Sequence, residues 1–286
     1  MSEAIEIYEV GPRDGLQNES RLIPTPDKVR LVNLLSACGF GRIEVASFVS
    51  PQRVPQMADG EAVMKAIERR AGVRYTALAP NLPGYRRARN AQADEVAVLV
   101  AASEGFSQAN LNCSIAESLQ RAADVASAAQ RDGVRVRGYI SCAVICPYDG
   151  PTPPQIVTGL AEQLLRLGCD EVSLGDTVGH GTPQTVGAML DCVIEKVPVQ
   201  RIAGHYHDTG GLALANIKVS IEKGVRTFDA SAGGLGGCPF APGAKGNVDT
   251  RSVVALANAT GFATGIDADR LQLAAHFALG LKGEHD

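Results

Sequence analysis

Residues Arg201 to Ser231 read RIAGHYHDTGGLALANIKVSIEKGVRTFDAS. Arg201–His207 is an apolar run of strand length, and Arg226–Ser231 is a second. Between them, Leu212–Lys223 carries the apolar spacing of a helix with one buried face. The stretch is thus one strand–helix–strand unit. Its first strand ends in His205 and His207. Side chains at i and i+2 of a strand share a face, so both imidazoles can reach one metal ion from the strand's end.

The same unit repeats toward the N-terminus. Further strand-length runs are Ile5–Val10, Arg42–Ser47, Val73–Ala79, Glu95–Ala101, Val134–Ser141 and Glu171–Leu174. Helix-length amphipathic stretches follow them: Thr25 to about Cys38, Gly60–Arg70, Leu82–Ala93, Ile115–Asp132, Pro154–Leu167 and Thr182–Lys196. Thr250–Thr260 closes the cycle, and Asp269–Leu281 is left over. Eight such units in about 265 residues are what a (β/α)₈ TIM barrel needs. A doubly wound open sheet rarely has eight such even units. The expectation is an α/β chain with one domain over residues 1–286. The barrel should span about 4–260, with an extra C-terminal helix over about 268–281. No Pro/Ser-rich linker or charge run marks a boundary.

Composition removes several function classes. With 286 residues, of which 45% are hydrophobic, the chain can bury a sizeable core. The formal charge is -4 and no basic cluster is present, which argues against nucleic acid. No apolar run reaches ~18 residues, so no membrane span is expected. The opening MSEAIEIYEV runs straight into a strand, with no secretory or transit pattern, which points to the cytoplasm. The seven cysteines are odd in number and scattered, as free thiols in a reducing compartment would be.

A barrel places its active site at the C-terminal ends of the strands. Arg13 and Asp14 follow strand one, Glu44 lies in strand two, Asp176 follows strand six, and Cys238 follows strand eight. Asp14 is either a turn carboxylate or a metal ligand opposite the two histidines. Two imidazoles, a carboxylate and the amide oxygen of Asn247 suit a divalent ion with open positions, Mg²⁺ or Mn²⁺, with zinc still open. Arg13 presents a planar fork suited to a carboxylate or an enolate oxygen. Asp208 either orients a histidine or caps the next helix. Glu44 and Asp176 either support the site or pair with barrel arginines. Cys238 sits in the glycine-rich stretch from Gly233 to Gly246, which reads as a lid over the site.

Three segments together identify a family. Glu9-Val10-Gly11-Pro12-Arg13-Asp14-Gly15-Leu16-Gln17-Asn18 is the first and His205-x-His207-Asp208-Thr209 the second. The third is Gly236-Gly237-Cys238-Pro239-Phe240-Ala241-Pro242-Gly243-Ala244. They resemble 3-hydroxy-3-methylglutaryl-CoA lyases, as do Gly138–Cys142, Cys146–Tyr148 and Ser173–Thr177. The resemblance implies a divalent metal held by Asp14, His205, His207 and Asn247, a substrate-binding Arg13 and a catalytic Cys238. The implied reaction is retro-Claisen cleavage of the 3-hydroxy-3-methylglutaryl thioester to acetyl-CoA and acetoacetate. An acyl-CoA is the expected partner, with no nucleic acid and no membrane, and the expected assembly is a homodimer.

The chain departs from the family's pattern twice. Gly210-Gly211 follows Thr209 where lyases carry a tyrosine, and Arg251 stands where an acid is usual. A longer branched 3-hydroxyglutaryl-CoA is therefore an alternative substrate. An acetyl-CoA-dependent condensing enzyme of the same superfamily is an alternative activity, although such synthases lack the Gly-Gly-Cys-Pro loop. A barrel that binds an acyl-CoA without turnover is a third reading.

Overall fold

A computed structural model describes residues 3–238 and 241–282; the side chains of 237–238 and 241–245 lie outside the described set. Eight strands are named here in chain order: β1 (Glu6–Glu9), β2 (Arg42–Ser47), β3 (Arg74–Leu78), β4 (Glu95–Ala101), β5 (Arg135–Ser141), β6 (Glu171–Asp176), β7 (Ile202–Tyr206) and β8 (Thr227–Ala230). They close a barrel in the order β1-β8-β7-β6-β5-β4-β3-β2, and every neighbouring pair is parallel. The helices are α1 (Thr25–Ser36), α2 (Gly60–Ala66), α3 (Leu82–Asn90), α4 (Ile115–Asp132), α5 (Pro154–Arg166), α6 (Pro183–Ile194), α7 (Ala213–Glu222) and α8 (Thr250–Ala259). The fold is the (β/α)₈ TIM barrel. The additional helix α9 (Ala268–Leu279) packs on α1 and on the turn at Ala232–Gly234.

Local chemistry explains the element ends. In α4, Ser114 and Glu117 exchange hydrogen bonds as a capping box, and Gly133 ends the helix in the left-handed region at φ 66°. Thr182 and Thr185 cap α6 in the same way, with Pro183 at its first position. Strands β2 and β6 are buried at every residue, as strands between a barrel interior and a helical ring must be. No helix among the described residues is long and apolar enough to cross a membrane.

The barrel interior departs from the usual Val/Ile/Leu filling. Arg42 on β2 reaches across to Glu171 on β6 at 3.0 Å and also pairs with Glu6 at 2.8 Å. Arg137 on β5 donates to Glu171 at 2.8 Å and to Asp229 on β8 at 2.7 Å. Both guanidiniums lie over the ring of Tyr8, at 4.8 and 4.1 Å from its centroid. Paired charges thus form the lower core, and the same network reaches upward to the strand ends.

Candidate active site

Strand β1 ends in a tight π-helical turn, Gly11–Gly15. Its N–H groups at Arg13, Asp14 and Gly15 all point at the carbonyl of Val10, at 3.2, 2.8 and 3.2 Å. This turn swings Asp14 over the barrel mouth, toward the end of β7. Asp14 Oδ2 lies 4.0 Å from His205 Nε2 and 3.9 Å from His207 Nε2. Ligand atoms of the three residues all fall within 4.8 Å of one another. Two bonds of about 2.1 Å span at most about 4.2 Å, so the carboxylate can share one ion with either imidazole.

The surroundings prepare these groups for a cation. Burial raises the pKa of Asp14, but Arg13, His205 and His207 outweigh it and hold the carboxyl well below the usual range. Burial and the neighbouring His205 lower His207 to about 4, so its ring stays neutral with a lone pair available. His207 Nδ1 is buried without a hydrogen-bond partner. His205 is fixed differently. Its Nδ1 lies 3.1 Å from Asp229 Oδ2, which also accepts from Ser173 Oγ at 3.0 Å. The Asp229 bond outweighs the burial that opposes charge, and the His205 pKa is raised. That bond places the Nδ1 proton and leaves Nε2 facing Asp14.

Asn247 forms an isolated antiparallel bridge with His207, which brings it to the same spot. Its Nδ2 donates to Asp14 Oδ2 at 2.7 Å and to the Leu235 carbonyl at 3.3 Å. The sequence reading expected the amide oxygen here. A ligand role requires the amide to turn over, a two-fold rotation of a planar group. Strand β7 stops at Tyr206, one residue short of the expected end, because His207 leaves the sheet to make this bridge.

Arg13 is only 5% exposed. Its Nε donates to Glu44 Oε2 at 2.6 Å, one terminal nitrogen pairs with the same oxygen at 2.5 Å, and the other donates to Asp14 Oδ1 at 2.5 Å. Burial pushes the Glu44 pKa up against the pull of Arg13, and its Oε1 has no partner. Tyr139 lies on the other side: Arg13 Cζ stands 5.6 Å from its ring centroid, and the His205 ring 6.2 Å.

The remaining candidates divide. Asp208 accepts from the Ala213 N–H, at the start of α7, at 3.2 Å, and Asp229 supplies the carboxylate on His205. Asp176 Oδ2 accepts from the Gly181 N–H at 2.8 Å and anchors the loop after β6. The thiol of Cys238 lies outside the described residues; its backbone pairs in the hairpin of Gly237–Cys238 with Ala241–Lys245. Gly236 leads into that hairpin at φ 117°, where a Cβ would stand 2.9 Å from Asn247 Nδ2. Of the two departures, Gly210 is exposed and a Cβ there would meet the Gly179 carbonyl at 3.0 Å. Arg251 pairs with Asp249 at 3.0 Å, and Asp249 accepts from the Gly233 N–H at 3.0 Å, at the base of the Cys238 loop.

Sequence reasoning passed over Glu9, Arg137, Tyr139 and Asp229. Glu9 is fully buried and ties three segments together, accepting from Gly11 N, Ala232 N and Thr250 Oγ1 at 2.8–2.9 Å. Burial raises it to about 7. The signal that could have found Arg137 and Tyr139 is alternation: Arg135, Arg137 and Tyr139 sit at every second position of β5.

The HMGL-like family model matches residues 4–277. A 3-hydroxy-3-isohexenylglutaryl-CoA/hydroxy-methylglutaryl-CoA lyase of Pseudomonas aeruginosa is 52% identical over 93% of this chain and 89% of its own length. The cytoplasmic 3-hydroxy-3-methylglutaryl-CoA lyase of Danio rerio is 51% identical over 96% of this chain and 82% of its own. The solved HMG-CoA lyase of Brucella melitensis is 60% identical, covers 98% of this chain and 99% of its own, and superposes with a TM-score of 0.97. With motifs, barrel and relatives in agreement, the chain belongs to the HMGL-like family, as one of its hydroxymethylglutaryl-CoA lyases.

Proposed function

We propose that the chain cleaves 3-hydroxy-3-methylglutaryl-CoA to acetyl-CoA and acetoacetate at the mouth of its barrel. The observation that carries this reading is the convergence of Asp14, His205 and His207 beside a buried, cavity-lining Arg13. In the reaction the C2–C3 bond breaks, C3 becomes the ketone carbon of acetoacetate, and its electrons pass to C2 as a thioester enolate. The 3-hydroxyl loses its proton and C2 gains one.

Asp14, His205 and His207, with Asn247 after its amide turns, would hold a divalent cation, Mg²⁺ or Mn²⁺ for this nitrogen and oxygen donor set. Such an ion supplies Lewis-acid polarisation of the 3-hydroxyl oxygen. Arg13 stands next to the ligand Asp14 and stabilises the enolate oxygen as charge develops there. Cys238 is assigned the return of a proton to C2, since a thiol is acidic enough to act as donor and the hairpin that bears it follows β8. The compartment is proposed as the cytoplasm, in line with the Danio rerio relative's name. The assembly is proposed as a homodimer. Leu22 and Leu273, both 66% exposed, give it apolar surface to cover, and mass in solution checks it.

Turnover is expected to require the cation. Purified protein stripped with a chelator should release no acetoacetate from 3-hydroxy-3-methylglutaryl-CoA, and added Mg²⁺ or Mn²⁺ should restore the release. Full activity in a metal-free preparation would remove the role given to Asp14, His205 and His207. The Pseudomonas relative, named for an isohexenyl substrate as well as a methyl one, keeps the longer branched thioester as a second reading.

A further inference from the structure

The cavity over the barrel, about 400 Å³, has two faces of opposite character. Arg13, Asp14, His205 and His207 make the polar one. Across from it, Val49, Leu78 and Leu99 face the cavity. With Ala97 and Tyr139 they form an apolar cluster separate from the main core. They come from three neighbouring places: Val49 just past β2, Leu78 at the end of β3, Leu99 within β4. Leu99 is the one residue of β4 that is not fully buried. It lines the cavity, so the apolar surface it leaves open faces the site. Tyr139 joins the two faces, since its ring neighbours Arg13 and His205 on one side and the apolar cluster on the other.

We propose, resting on the lyase reading, that this wall receives the alkyl group on C3 of the substrate. Leu99 sets its size, and the chain admits 3-hydroxy-3-alkylglutaryl thioesters whose alkyl group is longer than methyl. The chemistry of C3 assigns the wall. Its hydroxyl belongs with the cation ligands. Its two methylene arms end in a carboxylate and a thioester, and both seek donors or positive charge. The alkyl group alone gains by leaving water. The long thiol ester arm leaves by the mouth, where Arg53 and Asn112 on loops and Arg121 on α4 line the cavity, whereas Leu78 and Leu99 sit on the strands below. A methyl group covers one side chain, and the wall offers three. Each further methylene buried there favours binding about fourfold. The missing tyrosine at Gly210 is not the cause of the room, since Gly210 is exposed and does not line the cavity.

The test compares kcat/KM for 3-hydroxy-3-butylglutaryl-CoA and 3-hydroxy-3-methylglutaryl-CoA with Mg²⁺, in the wild type, Leu99→Phe and Leu99→Ala. The wild type should cleave both. The butyl-to-methyl ratio should fall at least tenfold in Leu99→Phe, because an added ring fills the space of several methylenes, and should rise in Leu99→Ala. The opposite signs keep the test decisive if one variant fails to fold. A ratio unmoved by either substitution overturns the proposal, as does a wild type that cleaves the methyl thioester alone. If the wild type cleaves neither, the lyase reading itself falls and the proposal falls with it.

Discussion

Replacing Arg13 by methionine is expected to lower kcat by about 10²-fold or more while leaving KM nearly unchanged, the loss typical of removing an oxyanion donor. The guanidinium has five N–H groups. Its contacts to Glu44 and Asp14 use three, one each through Nε and the two terminal nitrogens. Five minus three leaves two, on a side chain that lines the cavity. Burial opposes the charge, but Glu44 and Asp14 outweigh it and raise the pKa further, so Arg13 stays cationic at any working pH. A fixed cation in a site shielded from water interacts most strongly where charge appears during the reaction, and an interaction made mainly in the transition state shows in kcat. Methionine keeps much of the length and loses every donor. It also leaves the Glu44 carboxyl buried without its partner, so a drop in stability accompanies it. The double variant Arg13→Met/Glu44→Gln separates the effects: it should recover stability and not rate. A rise in KM alone would make Arg13 a binding residue and end the enolate role.

Part of this constellation is legible in the sequence alone. Arg13, Asp14, His205 and His207 lie at or just past the ends of β1 and β7, and the barrel's topology brings such positions together, whereas Asn247 lies well past β8 and arrives through its bridge to His207. The strands and helices matched because apolar periodicity is strong in this chain and most turns carry Gly, Pro or a capping residue, as at Gly133 and Thr182; the turn from α3 to β4 has none and makes its left-handed step at Gln92, φ 62°. What stayed hidden depends on side-chain direction inside the barrel. Adjacency in sequence offers Asp208 as a partner for a histidine. The partner is Asp229, 24 positions from His205, because β7 and β8 are neighbours and both side chains point inward. The π-helical turn at Gly11–Gly15 has no periodic signature, since five residues are too few to show one. Leu99 reads as an ordinary core leucine, and only the cavity shows that one of its faces is open.

Arg137→Met is expected to destabilise the fold by about 3–5 kcal/mol at pH 7, the range for breaking a buried ion pair by removing one partner. For a chain of this size that is roughly 2 °C per kcal/mol, a fall of roughly 6–10 °C in Tm. Arg137 is 1% exposed and serves Glu171, Asp229 and the Tyr139 hydroxyl at once, at 2.8, 2.7 and 3.0 Å. Without it, Glu171 keeps Arg42, but Asp229 keeps only His205 and Ser173. The pH dependence carries a sign. Burial raises the pKa of Asp229, yet Arg137 and His205 outweigh it and hold it at about 2, below the ordinary 3.8; Glu171 is lowered too. Groups depressed in the folded state contribute stability above their unfolded pKa and lose it as pH falls through the folded value. With Arg137 gone, burial dominates and both carboxyls shift upward, so they take up protons at a higher pH than in the wild type. The stability gap between wild type and variant should therefore be widest near pH 7 and narrow toward pH 5. The His205 bond to Asp229 weakens as Asp229 protonates, so metal affinity should fall alongside, by about 10-fold or more, as when the partner of a liganding histidine is lost. Melting curves at the two pH values and a metal titration read both effects. A gap that is small, or equal at both pH values, would mean that the interior charges are replaceable by apolar packing and that Arg137 does not hold Asp229 in place for His205.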